Sequence, residues 1–205
     1  EMTSSLVGSE MCIRDSKRTD VPKHLAYCEG ELFEQYIHDM KIIQEFAMVN
    51  RQAMMDEIIK GMGLHVKERF TTIHNYIDTE SMILRKGAVS ARVGERLLIP
   101  MNMQFGSLIC TGKGNPDWNF SAPHGAGRLM SRSDAKRSFT VSEFKKQMKD
   151  IYTTSVSAGT LDECPMAYKP AEQIIDNIGD TVTIDDIIKP VSYTHLRAHE
   201  TRRHL

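Results

Sequence analysis

The chain has 205 residues, of which 40% are hydrophobic and 26% are charged, and its formal net charge is −1. This composition predicts a soluble, globular protein about the size of one large domain, and it excludes a collagen-like fibre and a wholly disordered chain. No apolar run approaches the length of a membrane span, so we expect no membrane partner and a cytoplasmic location. The four cysteines are scattered and form no CxxC pair, which excludes a disulfide-rich secreted scaffold.

The two ends of the chain are related through the genetic code. Residues 6–16 (LVGSEMCIRDS) can be encoded by a DNA segment whose complementary strand encodes residues 191–200 (VSYTHLRAHE). Unrelated protein segments have no reason to share complementary codons, whereas one synthetic DNA element at both ends of an insert produces this pattern. The string resembles a transposon-derived sequencing adaptor. We therefore expect residues 1–16 and 191–205 to be adaptor translation and residues 17–190 to be the natural segment.

The first predicted element of the natural segment is a long helix. From Glu31 to about Lys60 the sequence contains no Gly or Pro, and apolar residues recur at helical spacing. Because Met fills irregular gaps well, we expect the Met-rich stripe of this helix to belong to the core. The stripe consists of Phe33, Tyr36, Met40, Ile43, Ala47, Met54 and Ile58.

Short apolar runs separated by Gly and Pro follow the helix, and they predict strands joined by turns. The runs cover residues 82–84, 88–93, 97–99 and 108–110. Residues 111–132 are rich in Gly, Pro, Asn and Ser, and they predict a long loop of the kind that often carries function. Two more helices are predicted, one from Ser142 through Tyr152 and one from Lys169 to Ile178. A helix, then strands, then helices is the order of an α+β domain.

The densest polar cluster lies at the end of the predicted loop. His124 stands beside Gly125 and Gly127, and Arg128 and Arg132 follow closely. Glycines let backbone N–H groups approach an anion, and arginine forks match phosphate oxygens, so the cluster predicts a phosphate site. An imidazole there can serve as a metal ligand, a general base or a nucleophile towards phosphorus. A turn histidine bonded to backbone is the structural alternative.

The other histidines of the natural segment give weaker patterns. His74, next to Asn75, precedes the strand region, and a lone histidine in such a position is more often structural than ligating. We interpret His24, His38 and His65, on or beside the long helix, as surface or core-edge residues.

Charge is unevenly distributed behind the neutral total. Residues 128–149 contain seven Lys or Arg against two acidic residues, whereas residues 160–189 contain two Lys against seven acidic residues. The basic stretch begins at the predicted phosphate site, which favours a nucleic-acid backbone as partner. A solvated helix face is the alternative.

A series of short motifs points to one family. They are KGA at 86–88, IPMNM at 99–103, GSLIC at 106–110, GKGN at 112–115, HGAGR at 124–128, MSR at 130–132 and ECPMAYK at 163–169. Together they strongly resemble the C-terminal half of RtcB-type RNA-splicing ligases, over essentially all of residues 17–190. The resemblance implies an α+β fold of mixed sheets flanked by helices, as an incomplete C-terminal portion of the family's catalytic domain.

Members of this family join an RNA 3′-phosphate or 2′,3′-cyclic phosphate to a 5′-hydroxyl with GTP and Mn²⁺, in tRNA splicing and RNA repair. The resemblance implies that His124 attacks the α-phosphorus of GTP and forms a histidine–GMP intermediate. It also implies that His74 is a Mn²⁺ ligand, and it leaves Arg128 and Arg132 as candidates for binding phosphate or RNA. The implied nucleotide-binding positions are His74, Asn75, Pro100, Met101, Asn102, Met103, Ser107, His124, Gly125, Ala126, Gly127 and Tyr168.

The sequence also departs from the family pattern. In the family most of the metal site lies in the N-terminal half, within motifs of the DxxCG and NHFxE types, and neither motif occurs here. The family ends with a lysine that contacts guanine, whereas here the pattern stops at Pro190. We therefore expect no self-guanylylation by this chain alone. A noncatalytic nucleotide- or RNA-binding module is the alternative function, and a metallophosphoesterase would need a His/Asp ligand set that the sequence does not contain.

Overall fold

The computed structural model describes residues 27–193. His24 and, apart from residues 191–193, both segments interpreted as adaptor lie outside this range. The chain divides into two compact units. Of the described residues, Tyr76–Leu84 belongs to the first unit together with residues 27–69, and Phe70–Asn75 belongs to the second together with residues 85–193.

The predicted long helix of the first unit is confirmed as α1 (Gly30–Met62). It ends at Gly63, whose left-handed backbone (φ 63°) lets its N–H reach the Ile59 and Lys60 carbonyl groups. His38 and His65 are exposed, as predicted.

The prediction that the Met-rich stripe of α1 belongs to the core is wrong. Within the helix only Ile37 is buried, whereas Ile43, Met54 and Ile58 are 45%, 52% and 51% exposed. Helical spacing places apolar side chains on one face, but burial also needs a surface that packs against that face, and the spacing does not reveal one.

The described residues form nine strands, and four of them match the predicted apolar runs. The strands are β1 (Asn75–Asp78), β2 (Ile83–Lys86), β3 (Ala88–Ser90), β4 (Arg96–Asn102), β5 (Gly106–Gly112), β6 (Ser121–Pro123), β7 (Tyr152–Thr153), β8 (Val182–Ile188) and β9 (Ser192–Tyr193). Strands β4, β5 and β8 form a three-stranded antiparallel sheet in that order. Strands β3 and β6 pair antiparallel, β7 and β9 pair parallel, and β1 and β2 form a fourth small sheet.

Three short helices lie between β6 and β8 in the chain. They are α2 (Arg132–Ser138), α3 (Val141–Gln147) and α4 (Ala171–Ile175). Helix α2 was not predicted, and α3 and α4 are shorter than the helices expected over 142–152 and 169–178. The loop expected over 111–132 contains a 3₁₀ turn (Pro116–Trp118) and β6. The combination of helices and small sheets confirms an α+β fold.

Two clusters of buried side chains form the core of the second unit. The larger one lies on the three-stranded sheet, where Leu97, Ile99 and Met101 alternate with less buried neighbours along β4. The smaller one packs Phe144 and Met148 of the α3 region against Cys164 and Ala167. The larger cluster includes Ala122 of β6 and Ala126, so the predicted phosphate loop is anchored in the core at both of these points.

A buried arginine holds the turn that leads into β6. Arg85 is 1% exposed, and it donates from Nε to Ser121 Oγ (2.9 Å) and from Nη2 to the Asn119 carbonyl (3.2 Å). Asn119 and Phe120 both have positive φ (49° and 52°), which costs free energy for residues with a Cβ. The hydrogen bonds from Arg85 therefore offset strain in this turn.

We expect Arg85→Met to lower the free energy of unfolding by about 2–3 kcal/mol, because it removes charge-assisted hydrogen bonds from a buried position. Chemical denaturation in urea measures the change. Arg137→Met is the matched control: Arg137 is 73% exposed and pairs with Asp134 one helical turn away, so its loss should cost less than about 1 kcal/mol. Equal losses in the two variants would contradict a structural role for Arg85.

Candidate functional site

The register between β3 and β6 determines the surroundings of His124. Ala88 pairs with Pro123 and Val89 with Ala122, so the residues just outside the pairing, Gly87 and His124, face each other. His124 Nδ1 lies 2.5 Å from the Gly87 carbonyl oxygen. A carbonyl oxygen can only accept, so Nδ1 carries the hydrogen in this bond and the neutral ring keeps its lone pair on Nε2.

Gly87 also forms hydrogen bonds with His74 and Asn75, the two other polar residues that were predicted near the nucleotide. Its N–H donates to the His74 carbonyl oxygen (2.9 Å) and to Asn75 Oδ1 (3.2 Å). The His74 and His124 rings stack with centroids 5.3 Å apart and planes 11° apart. The structure thus brings His74, Asn75 and His124 together around Gly87, the central residue of the KGA motif, for which the sequence predicted no role in the site.

The described residues do not form a complete Mn²⁺ site. The two stacked rings are nearly parallel, so their in-plane nitrogen lone pairs do not converge on one ion. No group of three or more His, Cys, Asp or Glu side chains able to hold a metal occurs within residues 27–193. His74 remains a single candidate ligand.

The other predicted nucleotide-binding residues lie on β4, on β5 and in the loop after His124. Pro100 pairs with Ser107, and a Cβ on Gly125 would lie 2.9 Å from the Pro100 carbonyl oxygen. Glycine at 125 therefore allows the loop to approach β4 closely. Met101, Met103 and Ala126 are buried. Gly125 and Pro100, far apart in sequence, thus meet at one local surface, and Met101, Met103 and Ala126 lie beneath it.

A cavity of about 600 Å³ lies beside this surface. Asn102 and Tyr168, both predicted, line it, and so do Lys169 and Lys189, which were not singled out. Asn102 has a structural role as well, since its Oδ1 accepts from the Gln104 N–H (3.0 Å) and the Phe105 N–H (2.8 Å) in the turn between β4 and β5. The cavity falls within the volume range of small-ligand sites.

Arg128 connects the loop after His124 to Tyr168. Its guanidinium carbon lies 4.9 Å from the centre of the Tyr168 ring, and Nη1 donates to the Tyr168 hydroxyl (3.1 Å). Nε and Nη2 donate to the Met130 and Asp162 carbonyl groups. The backbone N–H of Lys169 also donates to the Gly127 carbonyl oxygen (3.1 Å). Arg128 therefore holds Tyr168 at the cavity, and its predicted contact with phosphate stays a prediction.

Arg132 forms ion pairs with two carboxylates. Its Nη1 lies 2.9 Å from Asp162 Oδ2, and it also pairs with Glu163. Burial by itself would raise the pKa of Asp162, but hydrogen bonds from Arg132 and Lys136 hold that pKa below its ordinary value. A phosphate at Arg132 would have to compete with these two carboxylates.

Burial, with the Glu163 carboxylate that accepts from its hydroxyl, raises the pKa of Tyr168 to about 12. The folded state thus holds the phenolic proton more tightly than the unfolded chain, whose tyrosine pKa is about 10. The resulting stabilisation is complete below about pH 10 and is lost as the pH rises towards 12.

We expect Tyr168→Phe to make the urea midpoint of unfolding less dependent on pH between about pH 10 and 12. Burial raises the pKa of Cys110 to about 11 in both proteins, so its contribution cancels in the comparison. Tyr152→Phe, at an exposed position, should behave like the unaltered chain.

No described helix combines the length and the apolarity that a membrane crossing requires.

Residues 10–194 match the family model described as tRNA-splicing ligase RtcB. An RNA-splicing ligase RtcB of Escherichia coli (strain K12) is 32% identical over 191 residues, which cover 84% of this chain and 47% of that relative. The tRNA-splicing ligases RtcB of Aeropyrum pernix and Thermococcus kodakarensis are 31% and 27% identical, over 69% and 72% of this chain.

The chain spans about half the length of the curated relatives it matches. The match covers the residues that form the His124 loop, the surface with Pro100–Met103 and the turn at Tyr168. The chain therefore belongs to the tRNA-splicing ligase RtcB family.

Proposed function

We propose that the chain is the nucleophile-bearing part of a cytoplasmic, GTP-dependent RNA ligase that joins an RNA 3′-phosphate or 2′,3′-cyclic phosphate to a 5′-hydroxyl. The observation that carries the proposal is the grouping of His124 with His74 and Asn75 around Gly87, in which His124 Nδ1 bonds to the Gly87 carbonyl group. This bond leaves the lone pair of the neutral imidazole on Nε2, the atom that has to act as the nucleophile. The family membership supports the same reaction class.

In the proposed first step, His124 Nε2 attacks the α-phosphorus of GTP. A bond forms between nitrogen and phosphorus, the bond to the bridging oxygen breaks, and pyrophosphate leaves with the electron pair. The ring gains positive charge, which the Nδ1–H bond to the Gly87 carbonyl oxygen stabilises. The RNA 3′-phosphate, which water first releases where the end is a 2′,3′-cyclic phosphate, then attacks the GMP phosphorus and frees the histidine. The 5′-hydroxyl attacks the 3′-phosphorus, loses its proton to solvent and displaces GMP, which forms the phosphodiester bond.

The proposal includes Mn²⁺ as the cofactor, with His74 as its ligand in this chain. The residues described here offer that one candidate ligand only, so we assign no step to the metal. We expect the chain by itself to retain no label from α-labelled GTP and Mn²⁺. Retention of the label on His124 would contradict this expectation.

A chimera tests the proposed reaction. Residues 17–190, the natural segment, replace the matched half of the Escherichia coli relative, and the chimera is incubated with α-labelled GTP and Mn²⁺. We expect covalent label that is lost in acid and retained in alkali, as a bond between nitrogen and phosphorus requires, on the peptide that contains His124. A folded chimera that acquires no label, or that carries it on another residue, would overturn the proposal.

A further inference from the structure

A second cavity, of about 320 Å³, lies beside the His124 loop. Its lining includes the paired residues Ala88 and Pro123, which directly adjoin Gly87 and His124 in the chain. None of its lining residues lines the larger cavity at Tyr168. The lining is largely apolar, with Trp118 as its one aromatic residue and Ser121, Asn177 and Thr181 as its polar residues. We call this cavity the Trp118 pocket.

Trp118 is the only tryptophan of the chain, and it is 59% exposed. The turn that holds it contains both a stabilising hydrogen bond and strained backbone. Asn115 accepts from the Asp117 N–H (3.0 Å) ahead of it, and the left-handed residues Asn119 and Phe120 follow it. The buried Arg85 bonds to this second half of the turn, as described above. A strained turn supported by a buried charge and presenting an exposed indole indicates a binding role.

The composition of the Trp118 pocket favours a neutral, planar ligand over an anion. Ile178 and Pro123 supply apolar surface, and the lining contains no Lys or Arg that would attract a phosphate group. Asn177 uses Nδ2 on the Gln173 carbonyl group (2.8 Å), so its Oδ1 is the atom that can accept from an exocyclic amino group. An aromatic face with an amide at its edge is the combination that binds a nucleobase.

We propose that the Trp118 pocket binds one nucleobase of the single-stranded RNA end whose phosphate reacts at His124, through stacking on the indole ring. The inference rests on the proposed function, because Ala88 and Pro123 of the pocket adjoin Gly87 and the proposed nucleophile His124 in the chain, and this adjacency is what selects RNA as the source of the base. Stacking tolerates any base, so the pocket fixes the position of the strand without reading its sequence.

Fluorescence of the full chain tests the pocket directly, because all tryptophan emission comes from Trp118. A short oligoribonucleotide with a 3′-phosphate should quench this emission in a saturable way, whereas GTP alone should leave it unchanged. Equal quenching by duplex RNA would overturn the inference, since a paired base cannot stack on the indole. Quenching by GTP at lower concentration than by RNA would overturn it too, in favour of the guanine base of GTP.

Variants provide the second measurement, with binding of a labelled oligonucleotide followed by anisotropy. We expect Trp118→Ala to weaken binding about tenfold or more and Trp118→Phe to retain most of it, as stacking energies per base indicate. Tyr152→Ala, at another exposed aromatic residue, is the matched control and should bind normally. Normal binding by Trp118→Ala would overturn the proposal that the Trp118 pocket binds RNA.

The two proposals fail in different ways. If the chimera acquires label on His124 but the oligonucleotide leaves Trp118 emission unchanged, the pocket is wrong and the ligase proposal stands. If the oligonucleotide quenches Trp118 but the folded chimera acquires no label, the pocket stands as an RNA site and the proposed reaction is wrong.

Discussion

Replacing His124 with alanine in the chimera is expected to reduce the retention of GMP from labelled GTP to background. The neighbouring His74 cannot substitute for it, because its ring lies 5.3 Å away and stacks on His124 rather than occupying the same position. Loss of a nucleophile removes the covalent step entirely, and general positioning effects cannot replace it. Scintillation counting of the precipitated protein measures the effect.

His65→Ala is the matched control for this experiment, since His65 is exposed. It should retain the full amount of label. Unchanged label in His124→Ala would show that another residue is the nucleophile, and mapping of the labelled peptide would then identify it.

The second large effect is expected at Gly87. A Cβ there would lie 3.3 Å from His124 Cε1 and 3.4 Å from Nδ1, and the backbone has φ 71°. We expect Gly87→Val to displace the imidazole and to lower the rate of GMP transfer about 100-fold, the effect that a misplacement of about 1 Å can have. The rate of label uptake by the chimera measures it.

Gly94→Val separates displacement of the ring from backbone strain. Gly94 has nearly the same φ (75°), but nothing lies within 4 Å of the position that a Cβ would occupy. Both variants should lose similar stability in urea, while only Gly87→Val should lose transfer rate. Equal losses of rate would refute the role of Gly87 in holding His124.

Local sequence patterns predicted part of the secondary structure, but not which surfaces pack against it. Helix α1 follows almost the predicted bounds, because no Gly or Pro interrupts it and Gly63 ends it. The exposure of Ile43 and Met54 could not be predicted, since a stripe of apolar residues looks the same whether or not another surface packs on it.

Strand β8 was missed because its apolar alternation changes phase. Ile109 pairs with Asp186 and Cys110 with Ile184, so Asp185 is an extra residue in β8. The inward positions therefore shift from Val182 and Ile184 to Ile187, and a strict two-residue period fails across the strand. Recognition of a bulge at the consecutive residues Asp185 and Asp186 would have predicted the third strand of the central sheet.

The motif around His124 was visible in the sequence, but its partners were not. Gly87 is 37 residues away from His124, and only the register of β3 on β6 places its carbonyl group at Nδ1. The same limit applies to Arg128, which a pattern search assigns to phosphate and which the fold directs to Tyr168, 40 residues along the chain. Side-chain chemistry can be predicted from a motif, whereas pairing across the chain depends on tertiary structure.

The central sheet also has a consequence for the order in which this chain can fold during synthesis. The hairpin of β4 and β5 is complete early, but β5 waits for β8, and Thr111 and the Asp185 that accepts its hydroxyl are 74 residues apart. Until β8 leaves the ribosome, β5 presents an unpaired edge with Leu108 and Cys110 in it. Long-range pairing of this kind slows folding, so the nascent chain has an extended period in which chaperones or aggregation can compete for that edge.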